Sequence, residues 1–425
     1  MKTLKNICYV IFCVLTLTAC SGSKDAKTKE SRIYVAHILD NISIDKSTNG
    51  IVPLPEQTLP VLRNTFDRYT RISAPNGKPV HFLAQAAWSD DQILKARNTL
   101  RFILTDFPGS VYGDNKAKVA DAMANSNAAM VLFNDVAALE KAFDNTPLEN
   151  VDLSMQDLRA NECPADGSDD YLNHITRDAS FEEIWHLVHD YGIKQTLPEM
   201  IAEMRRANKT AIGRGWQAWP EDEPVEHPNE YVGALLDNYF DLWTIRPKKY
   251  EGRDISAKDV PEGTSHFGRY FAGSRKKMSK MDPEGFALIE KFFHPSLTYT
   301  AKLPEDFKGT FSLTFDKNLV YTYKSRHLKN VTLRGNHNAD LVGNESDNKL
   351  TGNKGANRLT GAAGSDVLAG GEGEDTAIFS GDYNEYEISK DSGKIRIKDK
   401  LKNRDGCDIL INIEFLRFRD KLIKL

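Results

Sequence analysis

Between residues 32 and 313 the apolar positions fall partly at helical spacing and partly in short extended runs, interrupted throughout by Pro and Gly, with no internal repeat. Residues 89–104 carry the helical pattern, with Ser89 as the cap and Ile93, Leu94, Leu100, Phe102 and Ile103 as the apolar set. Ala129-Met130-Val131-Leu132-Phe133 reads as a core strand running into a helix that ends near Phe143. Asp282-Pro283-Glu284-Gly285 opens a further helix, and Leu297-Thr298-Tyr299-Thr300 reads as a strand. Strands and helices mix without the even spacing of a doubly wound sheet, so the pattern predicts one α+β domain. The absence of GxGxxG, GxxxxGK[ST] and GxSxG leaves dinucleotide, P-loop and hydrolase-elbow chemistry without support.

After residue 313 the pattern changes to Gly and Asn at a fixed period. An eight-residue turn at 335–342 is followed by nonapeptides starting at Gly343, Gly352, Gly361 and Gly370, each with a large apolar residue or Ala at position eight. These turns resemble the repeat-in-toxin nonapeptide, GGxGxDxUx, which implies an all-β parallel β-roll that binds calcium between successive turns. On that resemblance Asp366 and Asp375 are the leading carboxylate ligands and Asp340 the next, while Gly361, Gly364, Gly370 and Gly373 shape the tight turns. Asn348 and Asn357 stand where the family has Asp, and a neutral amide oxygen is the weaker calcium ligand. The alternative is a roll that no longer holds metal. The tail from Asp375 onward resembles the antiparallel cap of such rolls, and Lys394-Ile395-Arg396-Ile397-Lys398 alternates as a half-exposed strand does.

The segment Phe181 to Gly192 reads as a helix started by Asp178 or Ser180. With Glu182 at zero, His186 falls near about 40°, His189 near about −20° and Glu183 near about 100°, so the ionisable groups share one stripe. One reading is an amphipathic helix with a hydrated face. The other begins from Glu182-Glu183-x-x-His186, which resembles the zincin HExxH with Glu for the first His. His227-Pro228-Asn229-Glu230-Tyr231 through Phe240 resembles the second helix of gluzincins of the anthrax lethal factor type. That resemblance implies zinc held by Glu182, His186 and Glu230, with His189 as substitute ligand, and Glu183 as general base. Tyr231 or Tyr239 would steady the oxyanion, and the substrate would be a polypeptide. An E/H/E set carries more negative charge than H/H/E and leaves the metal less acidifying. The competing class is a non-catalytic adhesion or structural module with a vestigial metal site.

Asp166-Gly167-Ser168-Asp169-Asp170 lacks the closing Glu of a calcium loop and reads as a capped turn. Trp216 and Trp219 fit either a groove lining or the core.

At the amino terminus Lys2 and Lys5 precede an apolar run of 11 residues, Ile7 to Leu17, too short to cross a bilayer. It reads as a secretory signal, and Leu17-Thr18-Ala19-Cys20 resembles the lipobox of bacterial lipoproteins, which implies a lipid on Cys20 and attachment to the outer membrane or cell surface. The other reading is a plain cleaved signal peptide. The implied organisation is signal peptide 1–19, tether 20–31, metallopeptidase-like α+β domain 32–315, connecting strand 316–332, roll 333–380 and β cap 381–425.

Composition alters this picture little. With 56 basic and 60 acidic residues the net charge is −4, which gives no electrostatic footprint for nucleic acid. Three of the five cysteines lie within the first 20 residues, leaving Cys163 and Cys407 as expected free thiols.

Overall fold

The computed structural model describes residues 32–218, 227–391 and 394–425. The signal, the Cys20 tether, Trp219 and the side chain of His227 fall outside the described residues. The chain is a mixed α/β structure in which a helix-covered sheet continues into a stack of parallel strands.

The first sheet has five strands, ordered Val52–Pro53, Arg68–Ser73, Pro79–Ala84, Ala128–Phe133 and Ser154–Arg159, antiparallel across the first three and parallel thereafter. The two central strands are buried at every position, as a sheet covered on both faces requires. Phe82, Met130 and Leu132 face one core, and Leu83, Val131 and Phe133 face another. The helix Asp90–Leu104 lies on the first face, where Ser89 and Gln92 form a reciprocal capping box. Ser168 caps the helix Asp169–Asn173, so this segment is a capped turn as its sequence suggests, with Asp166 paired to Lys95 at 2.8 Å.

The parallel stack starts earlier than the glycine repeats do. Leu297–Lys302 pairs in parallel with Leu328–Thr332, and Gly309–Ser312 with Ala339–Val342, so strands with no repeat signature form the first rungs of both sheets. One sheet then runs through Lys349–Thr351, Val367–Ala369 and Cys407–Ile411, and the other through Arg358–Thr360, Thr376–Ile378 and Phe415–Arg417. Val331, Leu350, Leu368 and Leu410 point inward from one side, facing Leu341, Leu359, Ala377 and Leu416 from the other, all buried. The cap adds the antiparallel strands Tyr386–Asp391, Lys394–Asp399 and Leu422–Lys424, and Ile397 is buried while the basic residues beside it are exposed.

One buried and one half-buried polar bond join stack and domain. Lys95 Nζ reaches Tyr299 Oη at 2.6 Å, and Arg334 Nη2 reaches Asp91 Oδ2 at 2.6 Å. Cys163 and Cys407 are both free, the first buried and the second half-buried.

Candidate metal sites

The first site helix, Ser180–Val188, is buried along its whole length, so its ionisable stripe faces protein and not solvent. Its N-cap is Ala179 without a side-chain cap, so neither Asp178 nor Ser180 caps it, although Asp178 accepts a hydrogen bond from the Ser180 amide at 3.1 Å. It continues as a π-helical turn, His189–Ile193, in which Gly192 lies so close to Val119 and Met123 that any side chain would collide. The second site helix, His227–Tyr239, crosses against it. Gly233 permits the approach, because a Cβ there would sit 3.2 Å from Glu182 Cγ.

Across this contact His186 Nε2 lies 3.4 Å from Glu230 Oε1. One donor atom from each of Glu182, His186 and Glu230 falls within 4.8 Å of the others. Glu182 also belongs to a second group with Asp237 and His266, in which His266 Nε2 is 3.3 Å from Asp237 Oδ2 and 3.7 Å from Glu182 Oε2. Asp237 lies seven residues after Glu230, hence on the same helix face, a spacing legible in the sequence but not used there. His266 sits in a distant loop with no motif around it. It and Phe267 both adopt left-handed backbone angles, φ 49° and 55°, a strained pair that turns the imidazole inward.

Arg177, also unmarked in the sequence, sets the electrostatics. Its guanidinium bonds Glu182 at 2.8 Å and Glu162 at 2.9 Å and lies 3.6 Å from Glu183. Arg159 pairs with Glu162 at 2.6 Å. Against these two guanidiniums stand Asp157, Glu162, Glu182, Glu183, Glu230 and Asp237, so buried carboxyls are in excess. Burial pushes Asp157 and Asp237 up to about 6, and with the charge of Glu182 it also raises Glu183 and Glu230. Burial acts against ionisation of Glu182 too, but Arg177 foremost, then His266 and His186, outweigh it and lower the carboxyl to about 2.

The residues fit a divalent ion. Glu230 Oε1 and Asp237 Oδ1 are buried and accept no hydrogen bond, and the surplus negative charge calls for a cation or protons. Imidazole and carboxylate donors together suit zinc and its neighbours among the divalent metals.

Three residues of the expected constellation lie apart from it. His189 is not grouped with the cluster: on the π-helical turn its Nδ1 pairs with Asp190 at 2.7 Å and its ring packs on Trp185. Tyr231 donates to Asp282 Oδ2 at 2.7 Å, alongside Tyr270 at 2.9 Å, and so is committed away from the cluster. Tyr239 carries the Arg275 guanidinium on its ring at 3.7 Å. Glu183 stays beside Glu182 but accepts a hydrogen bond from Gln156 Nε2 at 2.9 Å. Trp216 is half-buried against the core.

In the roll, Asp366 and Asp375 are buried, and the Oδ2 of each has no hydrogen-bond partner. Gly361 and Gly370 lie directly beneath these carboxylates, where a Cβ would collide with them. Gly364 and Gly373 turn at φ 127° and 116°, angles an L side chain resists. Burial raises Asp366 to about 7 and Asp375 to about 6. Asn348 and Asn357 hold the equivalent places one coil earlier. Asp340 does not: it pairs in register with Arg358 and faces outward, 4.0 Å from that guanidinium. The eight-residue turn puts Ala339, not Asp340, in the column of Asn357.

Residues 342–377 match the family model of the RTX calcium-binding nonapeptide repeat in four copies. No curated protein matches the chain. Residues 342–377 of the roll are thus RTX repeats, which indicate calcium binding and suggest an extracellular or cell-surface protein. Among the described residues no helix is long and apolar enough to cross a membrane.

Proposed function

We propose that this chain is a lipid-anchored, calcium-binding protein of the bacterial cell envelope, whose α+β domain, of degenerate gluzincin type, is built around a closed divalent-metal centre. The convergence of His186 and Glu230 from two helices upon Glu182, with Glu230 Oε1 left unbonded, carries this reading. Zinc would be held by Glu182, His186 and Glu230, and a bound ion supplies fixed positive charge and Lewis acidity there. Glu230 and His186 bring the helices together, and Arg177 keeps Glu182 ionised and oriented. A structural role is favoured because Tyr231 is tied to Asp282 and Glu183 is bonded by Gln156, so neither is free to move protons or meet a developing charge.

Zinc endopeptidase activity is the second reading. It is favoured by Glu183 itself, which lies beside Glu182 and has its proton affinity raised by burial, as a general base needs. Metal analysis and peptide cleavage by the full chain decide between the two. The structural reading expects about one zinc per chain, lost in Glu230→Gln, with no cleavage of a mixed peptide library. Metal content unchanged in Glu230→Gln removes the centre from these residues. Cleavage by the wild type that disappears in Glu183→Gln with zinc retained establishes the peptidase instead. For the anchor, Cys20→Ala should move the protein from the membrane pellet to the soluble fraction, and continued pelleting refutes the lipid.

A further inference from the structure

The four nonapeptides divide into two kinds. Those beginning at Gly343 and Gly352 have Asn at positions two and six, and those beginning at Gly361 and Gly370 have a small residue at two and Asp at six. A Cβ on any of the four leading glycines would strike the position-six side chain. The turns themselves differ: Ala362 and Gly371 at position two and Gly364 and Gly373 at position four take positive φ, whereas Asn344, Asn353 and Gly355 do not.

In the first kind every amide is engaged. Asn357 Oδ1 accepts from the Asn353 amide at 2.8 Å, and its Nδ2 donates to Ala339 O at 2.9 Å, on the rung 18 residues earlier. Asn353 Nδ2 donates to Arg334 O at 2.8 Å and His337 O at 3.0 Å. Asn348 and Asn344 repeat the arrangement: Asn348 Nδ2 donates to Lys329 O at 3.3 Å, and Asn344 Nδ2 to Arg326 O at 2.9 Å and Leu328 O at 3.2 Å. The carbonyl oxygens that a cation would gather are bonded to N–H groups. In the second kind Asp366 and Asp375 can offer no such donor when ionised, and each keeps a buried oxygen without a partner. Each also meets a further acid from the cap on the next rung. Asp408 Oδ1 accepts from the Asp366 amide at 3.1 Å, and Glu414 Oε2 from the Asp375 amide at 2.7 Å.

We propose that the roll is calcium-free in its first half and calcium-dependent in its second. The amides of Asn344, Asn348, Asn353 and Asn357 stand in for the ion in the first two nonapeptides. Calcium binds only at Asp366 with Asp408 and at Asp375 with Glu414. Two carboxylates per site balance one divalent charge, and each pair spans the last repeat turns and the cap. Calcium therefore fastens the cap strands Cys407–Ile411 and Phe415–Arg417 to a half-roll that is already folded against the α+β domain.

The test is hydrogen exchange on the full chain in chelator and in saturating calcium, with calcium stoichiometry measured by titration calorimetry. About two calcium ions should bind per chain. Protection of residues 328–360 should be unchanged by calcium, while residues 366–418 gain at least about tenfold. Three or more ions, fewer than two, or a calcium-dependent gain spread evenly over both halves overturns the proposal. The variant Asn357→Ala supplies a second arm: it should lose protection in residues 339–360 even with calcium saturating, and undiminished protection there refutes the amide's role.

Discussion

Arg177→Met would show whether the buried acids of the α+β domain are managed by a guanidinium alone or by a guanidinium and a metal together. Methionine keeps much of the side-chain volume, so the main loss is charge. Arg177 bonds Glu162 at 2.9 Å and Glu182 at 2.8 Å, and all three groups are buried. Removing one partner of a buried ion pair costs about 3–5 kcal/mol, because the other charge remains without compensation. Here two carboxylates are stranded, Arg159 still answers Glu162, and the lower end of that range is expected for the variant in chelator. Zinc should raise the stability of wild type and variant alike, since a bound ion supplies positive charge beside Glu182. An ion at 100 times its dissociation constant adds about 2.7 kcal/mol to the form that binds it, comparable to the loss of the guanidinium. All five tryptophans, at 88, 185, 216, 219 and 243, precede the first strand of the parallel stack, so tryptophan fluorescence in urea reports on the α+β domain alone. The chelator is one selective for zinc, and calcium is held saturating so that the roll does not vary. A loss below about 1 kcal/mol in chelator would falsify the electrostatic account. No stabilisation by zinc of either the wild type or the variant would refute the metal centre while leaving the ion-pair account intact.

Three further outcomes follow from individual environments. Burial, aided by the charge of Lys324, lowers His174 to about 3, so the folded state refuses a proton that the unfolded chain accepts below about 6.5. Its contribution is therefore present above pH 6.5 and lost as pH falls towards 3, at about 1.4 kcal/mol per pH unit. His174→Asn, which tolerates the left-handed angle of 49°, should move acid unfolding to lower pH, and an unshifted midpoint refutes this. Leu359→Ala empties a fully buried position between Leu341 and Ala377 and should cost about 2–5 kcal/mol of roll stability, seen as lost hydrogen-exchange protection in residues 339–378. Gly233→Val should separate the two site helices and abolish zinc uptake, because the new side chain meets Glu182 Cγ; normal zinc content in a folded variant shows that the close approach is not required.

What the sequence determined by itself is what repeats or alternates locally. Four in-phase glycines with a buried residue at position eight define the coil, because each turn must reproduce the same backbone angles and fill the same narrow interior. The helix at Ser180–Val188 and the common face of Glu182 and His186 were equally legible, since residues four apart share a helix face, whereas Glu230 was joined to them only by the resemblance to gluzincins. The remainder depends on contacts between distant segments. Leu297–Lys302 and Gly309–Ser312 belong to the stack although no glycine marks them, because a strand joins a sheet through backbone bonds and inward apolar side chains. Asp340 leaves the calcium column because one residue fewer in its turn reverses the face a side chain takes. The π-helical turn carries His189 off to Asp190, while His266 reaches Glu182 from a segment whose separation along the chain has no fixed relation to its distance in space. Which acids are neutralised, and by which partner, is a property of the folded interior: charge is felt through space, and the chain brings these groups together only when it packs.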